Sequence, residues 1–147
     1  MPYASSLSTH NDAGVAVAEA IGQIIDKLGP SPDLAFLFVS GAFVNQVEDL
    51  ALAVHAMLSP GTLLGSTAIS VVSGEKEIEE QTAISLFAGK FDGSARPIRL
   101  EDDMHSLQPP TDKGDNASQP HTLILLADPF SFQADRAIDE WRSTFSE

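Results

Sequence analysis

Apolar and polar positions along this chain repeat with two different periods, and each change of period marks an element. Val17, Ile21, Ile24, Ile25 and Leu28 recur at helical spacing, which predicts a helix running to about Leu28 with one face packed on a sheet. Asn11 or Asp12 stands where a cap belongs, and Gly29-Pro30 ends the helix. Ahead of it, Tyr3–Ser8 is a short, weakly apolar strand. Leu34-Ala35-Phe36-Leu37-Phe38-Val39 is continuously apolar between Asp33 and Ser40-Gly41, the pattern of a central strand covered on both faces. Val47, Leu50, Ala51, Val54 and Leu58 form a second helical stripe, with Asn45 as its cap and Glu48 three residues on. Pro60-Gly61 stops that helix, and Thr62–Ala68 is the next strand.

This β-α-β-α-β order predicts an α/β fold with a mainly parallel sheet and helices on both faces. The pattern then changes. Ala83–Phe91, the Asp92-Gly93 turn and Arg96–Leu100 read as an antiparallel hairpin, Asp-Gly being common hairpin punctuation. Residues 101–120 are rich in Pro, Gly, Asp and Ser with no periodicity, so a flexible surface loop is expected, with a lid over a pocket as its functional alternative. Thr122–Ala127 restores a buried strand. Ala134, Ile138, Trp141 and Phe145 mark a final amphipathic helix, capped near Ser131. No internal repeat or second-domain boundary is visible, so one α/β domain over residues 1–147 is expected.

The segment from Gly65 to Phe91 organises the candidate chemistry. It opens on Gly65-Ser66-Thr67-Ala68, passes a connection closed by Gly74, and carries Glu75, Glu77, Glu79 and Glu80 before the apolar Ala83–Ala88. Small hydroxyl residues at a strand end suit the wall of a ligand pocket, because backbone and ligand can approach closely there. They equally suit a tight turn between two core strands. The acidic run reads as a solvated strand or turn edge, or as a set of carboxylates for a cation or an amino group. In a strand Glu77 and Glu79 share one face and Ile78 the other.

Gly-Ser-Thr-Ala, a Gly-containing turn, Glu-Lys-Glu-Ile-Glu-Glu and then an apolar strand, in that order, resemble the N-terminal half of FIST domains. Leu34–Ser40, a strand running into a helix, agrees with that pattern. So does Leu123-Ile124-Leu125-Leu126-Ala127-Asp128-Pro129-Phe130, which resembles the family's late strand ending in Asp-Pro-Phe. The resemblance covers most of residues 4–147 and rests on the order of the motifs. FIST domains are sensory modules of bacterial signal transduction, also found in a eukaryotic F-box protein. The resemblance therefore implies a small-ligand sensor, with amino acids or related compounds as the ligand class and a downstream signalling protein as partner. It also implies that Glu77 and Glu80 belong to a recurring pattern. FIST proteins continue with further strands and a C-terminal domain, so this chain is expected to be a fragment, with any shared pocket incomplete.

Composition removes several other classes. The net charge of −13 disfavours nucleic acid and anionic membrane surfaces, both of which need basic patches. With no cysteine, thiol nucleophiles, disulfides and thiolate metal sites are excluded. Met1-Pro2-Tyr3 has neither a basic nor an apolar leader region, and the apolar runs fall short of the ~20 residues a membrane span needs, so the chain reads as cytoplasmic.

No nucleophile elbow, dinucleotide fingerprint or Walker loop is present, so a non-enzymatic role without cofactor is expected. Ser40-Gly41 sits between a buried strand and a helix, where α/β sheets bind ligands, although such a strand can simply end that way. His10, His55, His105 and His121 lack metal-ligand spacing. Some FIST-type proteins are described as binding haem through a histidine, which makes a haem or gas sensor the second reading; a protein-interaction scaffold is the third. Asp128-Pro129 could present a carboxylate to a ligand or cap the last helix. The candidate ligand-binding set is Ser40, Gly41, Gly65, Ser66, Thr67, Glu77, Glu80 and Asp128.

Overall fold

Ala4, Ser6 and Ser8 are buried and alternate with more exposed neighbours along β1 (Tyr3–Ser8), so the first strand has one covered face. The computed structural model describes residues 1–91, 95–98, 122–128 and 130–144. Its elements are β1, α1 (Ala13–Leu28), β2 (Leu34–Ser40), a short 3-10 helix (Gly41–Gln46), α2 (Val47–Leu58), β3 (Thr62–Ala68), β4 (Ser70–Ser73), β5 (Lys76–Glu79), β6 (Ile84–Gly89) and α3 (Ala134–Thr144). They divide into two compact units, Met1–Pro97 and Ile98–Glu147.

In the first unit the four-stranded sheet has the order β1-β6-β2-β3. β6 is antiparallel to both of its neighbours, and β2 and β3 form the single parallel pair. The expected mainly parallel sheet is therefore corrected to a mixed one. β1, β2 and β3 still run in the same direction, but β6 is inserted between the first two. Helices on both faces are corrected as well. Val17, Ile21 and Ile24 of α1 and Leu50, Val54 and Leu58 of α2 share one core with Ala35, Leu37, Val39, Ile84, Leu86 and Ala88, all on the same side of the sheet by strand alternation. Burying side chains of this size contributes on the order of 1.5–3 kcal/mol each.

The second face carries Tyr3, Phe36, Phe38 and Phe87, whose rings lie 5.9–6.4 Å apart between neighbouring centroids. Over part of this face packs the hairpin β4–β5, with Val71 buried and Ser85 Oγ donating to the Val72 carbonyl. The hairpin thus stands at Ser70–Glu79, turning through Gly74, whose φ of 61° suits glycine. The expected one following Ala83 is not formed by the described residues. Its first strand became the sheet's β6, residues 95–98 carry no strand, and the Asp92-Gly93 turn and residues 99–100 lie outside the described residues. A turn signal says that the chain bends. It does not say beside which strand the chain lies.

Helix boundaries follow local chemistry. Asp12 Oδ1 accepts the Val15 N–H at 2.9 Å and caps α1, and the Gly29 N–H closes its end on the Ile25 carbonyl. Asn45 does not cap α2; the 3-10 helix leads into it, with Gln46 at the cap position making no side-chain bond.

In the second unit, Ala137 and Trp141 of α3 pack with Leu125 and Phe132. Thr122–Ala127, expected as a buried strand, is unpaired, and Leu123, Ile124 and Leu126 are exposed. The expected flexible loop at 101–120, with His105, lies outside the described residues, as do His121, Pro129 and Phe145.

Candidate functional site

Because β1, β2 and β3 point the same way, their carboxyl ends meet at one rim of the sheet, where the amino end of β6 also begins. The register sets Ser40 beside Ala68, Val39 beside Thr67 and Phe38 beside Ser66. Four residues of the predicted set, Ser40, Gly41, Ser66 and Thr67, are thereby brought to this rim. Ser40 is buried; its N–H donates to the Ala83 carbonyl and its Oγ accepts the Ala83 N–H, both at 2.9 Å. That pair ties the end of β2 to the start of β6. Gly41 opens the 3-10 helix, and a Cβ placed on it would meet nothing within 4 Å. Neither a positive φ nor packing requires glycine there.

Thr67 lies on the helix-covered side of the sheet and Ser66 on the other, since their partners Val39 and Phe38 do. Both are exposed, and Ser66 Oγ donates to the Thr67 carbonyl at 2.9 Å. Gly65 has a structural requirement of its own. A Cβ there would lie 2.2 Å from the Leu37 carbonyl oxygen, so its bare backbone is what lets β3 close on β2.

Three rim residues escaped the sequence reading as site candidates. Thr82 Oγ1 donates to Asn11 Oδ1 at 2.9 Å, and the Asp12 N–H donates to His10 Nδ1 at 3.0 Å. This fixes the polar turn after β1 against the start of β6. Asn11 was legible only as a cap and Thr82 only as the residue before a buried strand; their pairing depends on sheet order.

Glu77 and Glu80 stand apart from that rim, on or just after β5. Glu77 sits opposite Val72 on the exposed side of the hairpin. Glu80 is exposed and held at φ 52°, in the left-handed region, a conformation a non-glycine residue adopts at a cost. Asp128 belongs to the second unit. Its Oδ2 accepts from Ser131 Oγ at 2.7 Å and its Oδ1 from the Phe130 N–H at 3.0 Å, building the turn ahead of α3 rather than capping the helix itself. The Ser131 hydroxyl and then the Phe130 amide hold this carboxyl below its ordinary pKa. Within the same unit an open groove of about 460 Å³ is lined by Phe132–Arg136 residues such as Gln133 and Asp135.

Among the described residues no group of three or more His, Asp or Glu side chains is placed to hold a metal ion. Nor, among them, is any helix long and apolar enough to cross a membrane. His55 is exposed near the end of α2.

The chain belongs to the FIST N domain family, whose model matches residues 33–147. That family places it among sensory and signal-transduction domains. Over 77 residues it is 40% identical to an uncharacterized protein of Mycobacterium bovis, a match taking 52% of this chain and 20% of that protein. A Mycobacterium tuberculosis protein matches to the same extent, and a second one is 35% identical over 82 residues, 55% of this chain and 21% of its own. The chain spans about a fifth of the length of these curated relatives.

Proposed function

We propose that this domain is a cytoplasmic, non-enzymatic sensor that binds a small amino-acid-like metabolite at the carboxyl rim of β2 and β3 and passes the occupied state to a signalling partner. The observation that carries the reading is Gly41. It stands where a parallel strand enters a helix, the position at which open α/β sheets take ligands, and neither its conformation nor its packing accounts for a glycine. Open space above it leaves backbone amides of the 3-10 helix free to meet a carboxylate, with the Thr67 hydroxyl and exposed Ser66 beside them. Glu80, two residues before Thr82, is favoured over Glu77 for the ligand's ammonium group, because its left-handed backbone is a strain of the kind that clusters at binding sites. Asp128 and Gly65, each with a local structural task, take a lesser part.

The test is thermal unfolding against amino acids, polyamines, small carboxylates and haem. A ligand at about 100 times its dissociation constant adds roughly 2.7 kcal/mol, a melting shift on the order of 5–10 °C at this size. Stabilisation by one class bearing both amine and carboxylate, lost in Glu80→Gln and in Gly41→Val, is the expected result. A shift with haem alone, together with a haem absorption band, would replace this reading with the gas-sensor one.

A further inference from the structure

The two edges of the four-stranded sheet are treated differently. Along β1, three residues of α1 spaced one helical turn apart reach the strand: Ser8 Oγ donates to Glu19 Oε2 at 2.5 Å, Gln23 Nε2 donates to the Leu7 carbonyl at 3.1 Å, and Lys27 Nζ donates to the Ser5 carbonyl at 2.9 Å. Two main-chain acceptors of that edge are therefore occupied and charged side chains stand over it, which is how natural sheets block the addition of a further strand. β3, at the opposite edge, pairs only with β2 among the described residues. Its start is held from within the chain, Thr62 Oγ1 donating to the Ala95 carbonyl at 3.1 Å. From Leu63 to Ala68 it carries no proline and no charge, and no described side chain donates to or accepts from its main chain apart from its own Ser66.

Charge distribution points the same way. The chain carries a net charge of −13, yet from Leu50 to Gly74 it contains no Asp, Glu, Lys or Arg. Apolar side chains in this stretch are left at the surface: Leu52, Met57 and Val72 are more than half exposed and Ile69 is 86% exposed. Two copies of so acidic a chain repel one another over most of their surface, and β3 with its surroundings is where that repulsion is weakest.

We propose that β3 is a self-association edge, on which β3 of a second copy pairs. A two-fold axis sets the same patch against itself and makes the two strands antiparallel, joining two four-stranded sheets into one of eight strands. An uncharged edge is complementary to its own copy through backbone donors and acceptors alone, so no charged counterpart is needed. The edge is distinct from the rim proposed to hold a ligand, and this inference does not depend on that reading.

The experiment is sedimentation of the native chain across a wide concentration range, paired with amide hydrogen exchange at the two ends of the range. A reversible dimer is expected, with alternate amides between Leu63 and Ala68 gaining protection as it forms. Leu64→Lys places a charge on the edge and weakens the dimer by about tenfold or more, equivalent to at least roughly 1.4 kcal/mol, whereas the neutral Leu64→Thr leaves it intact. A native chain that stays monomeric throughout overturns the proposal. So does a dimer in which the β3 amides exchange as fast as in the monomer. Both readouts use the unsubstituted protein, so the outcome stands even if Leu64→Lys does not fold.

Discussion

Ser40 and Ala83 hold each other twice, the Ser40 N–H donating to the Ala83 carbonyl and the Ala83 N–H to Ser40 Oγ, each at 2.9 Å. Both residues are buried. The hydroxyl therefore does the work of a main-chain acceptor at the point where the β2–β6 ladder runs out. Ser40→Ala leaves the Ala83 N–H buried without a partner, at a cost of about 1–3 kcal/mol. Chemical denaturation reads this as a lower midpoint with an unchanged slope; an unchanged midpoint would mean that water replaces the hydroxyl.

Gly65→Ala is expected to destabilise by about 1–3 kcal/mol, the usual cost of forcing extra volume into a tight contact. The atom it meets, the Leu37 carbonyl oxygen, is main chain, so no side-chain rotation relieves the clash and β3 itself must shift from β2. Gly41→Ala, with open space around its Cβ, serves as the control and leaves the midpoint close to native.

Asp12→Ala removes the acceptor for the Val15 N–H at the start of α1 and costs about 1 kcal/mol. Asp12→Ser keeps a capping oxygen and recovers most of it. Helix content by circular dichroism near the transition separates the two.

Asp128 gives the second unit a pH dependence of known sign. Its folded pKa is lowered by the Ser131 hydroxyl and the Phe130 amide. The turn's stabilisation is thus fully present above the ordinary aspartate value of about 3.9 and is lost as pH falls through the lower folded pKa. Carboxyl chemical shifts followed by acid titration should show Asp128 titrating below that value. Ser131→Ala should move it back up; an unmoved titration would assign the effect to the Phe130 amide.

What the sequence makes legible is what depends on near neighbours. The stripe of Val17, Ile21 and Ile24 is buried as its spacing requires, and Asp12 caps the helix it precedes. Ser40-Gly41 stands at a strand-to-helix entry, as read. What depends on distant partners was not legible. The run from Leu34 to Val39 shows a strand with apolar side chains on both faces, but not that helices cover only Ala35, Leu37 and Val39 while Phe36 and Phe38 lie with other aromatics opposite. Gly65 signals a close approach without saying whether a ligand or β2 makes it. Asn11 and Thr82 meet across 71 positions of sequence, and only the insertion of β6 brings them together.

That insertion also sets the order in which the sheet is assembled. β1 is the first strand synthesised, yet its described partner is β6, and Ser6 Oγ reaches the Leu86 carbonyl across 80 positions. Until Gly89 has left the ribosome, β1 and the β2–β3 pair face an empty lane, and neither can close on the other. The early segments wait as separate pieces, with α1 carrying its apolar stripe uncovered. Contacts of such sequence separation fold slowly. A nascent chain arrested before Ile84 is accordingly a target for chaperones, and one arrested just beyond Gly89 can complete the four-stranded sheet.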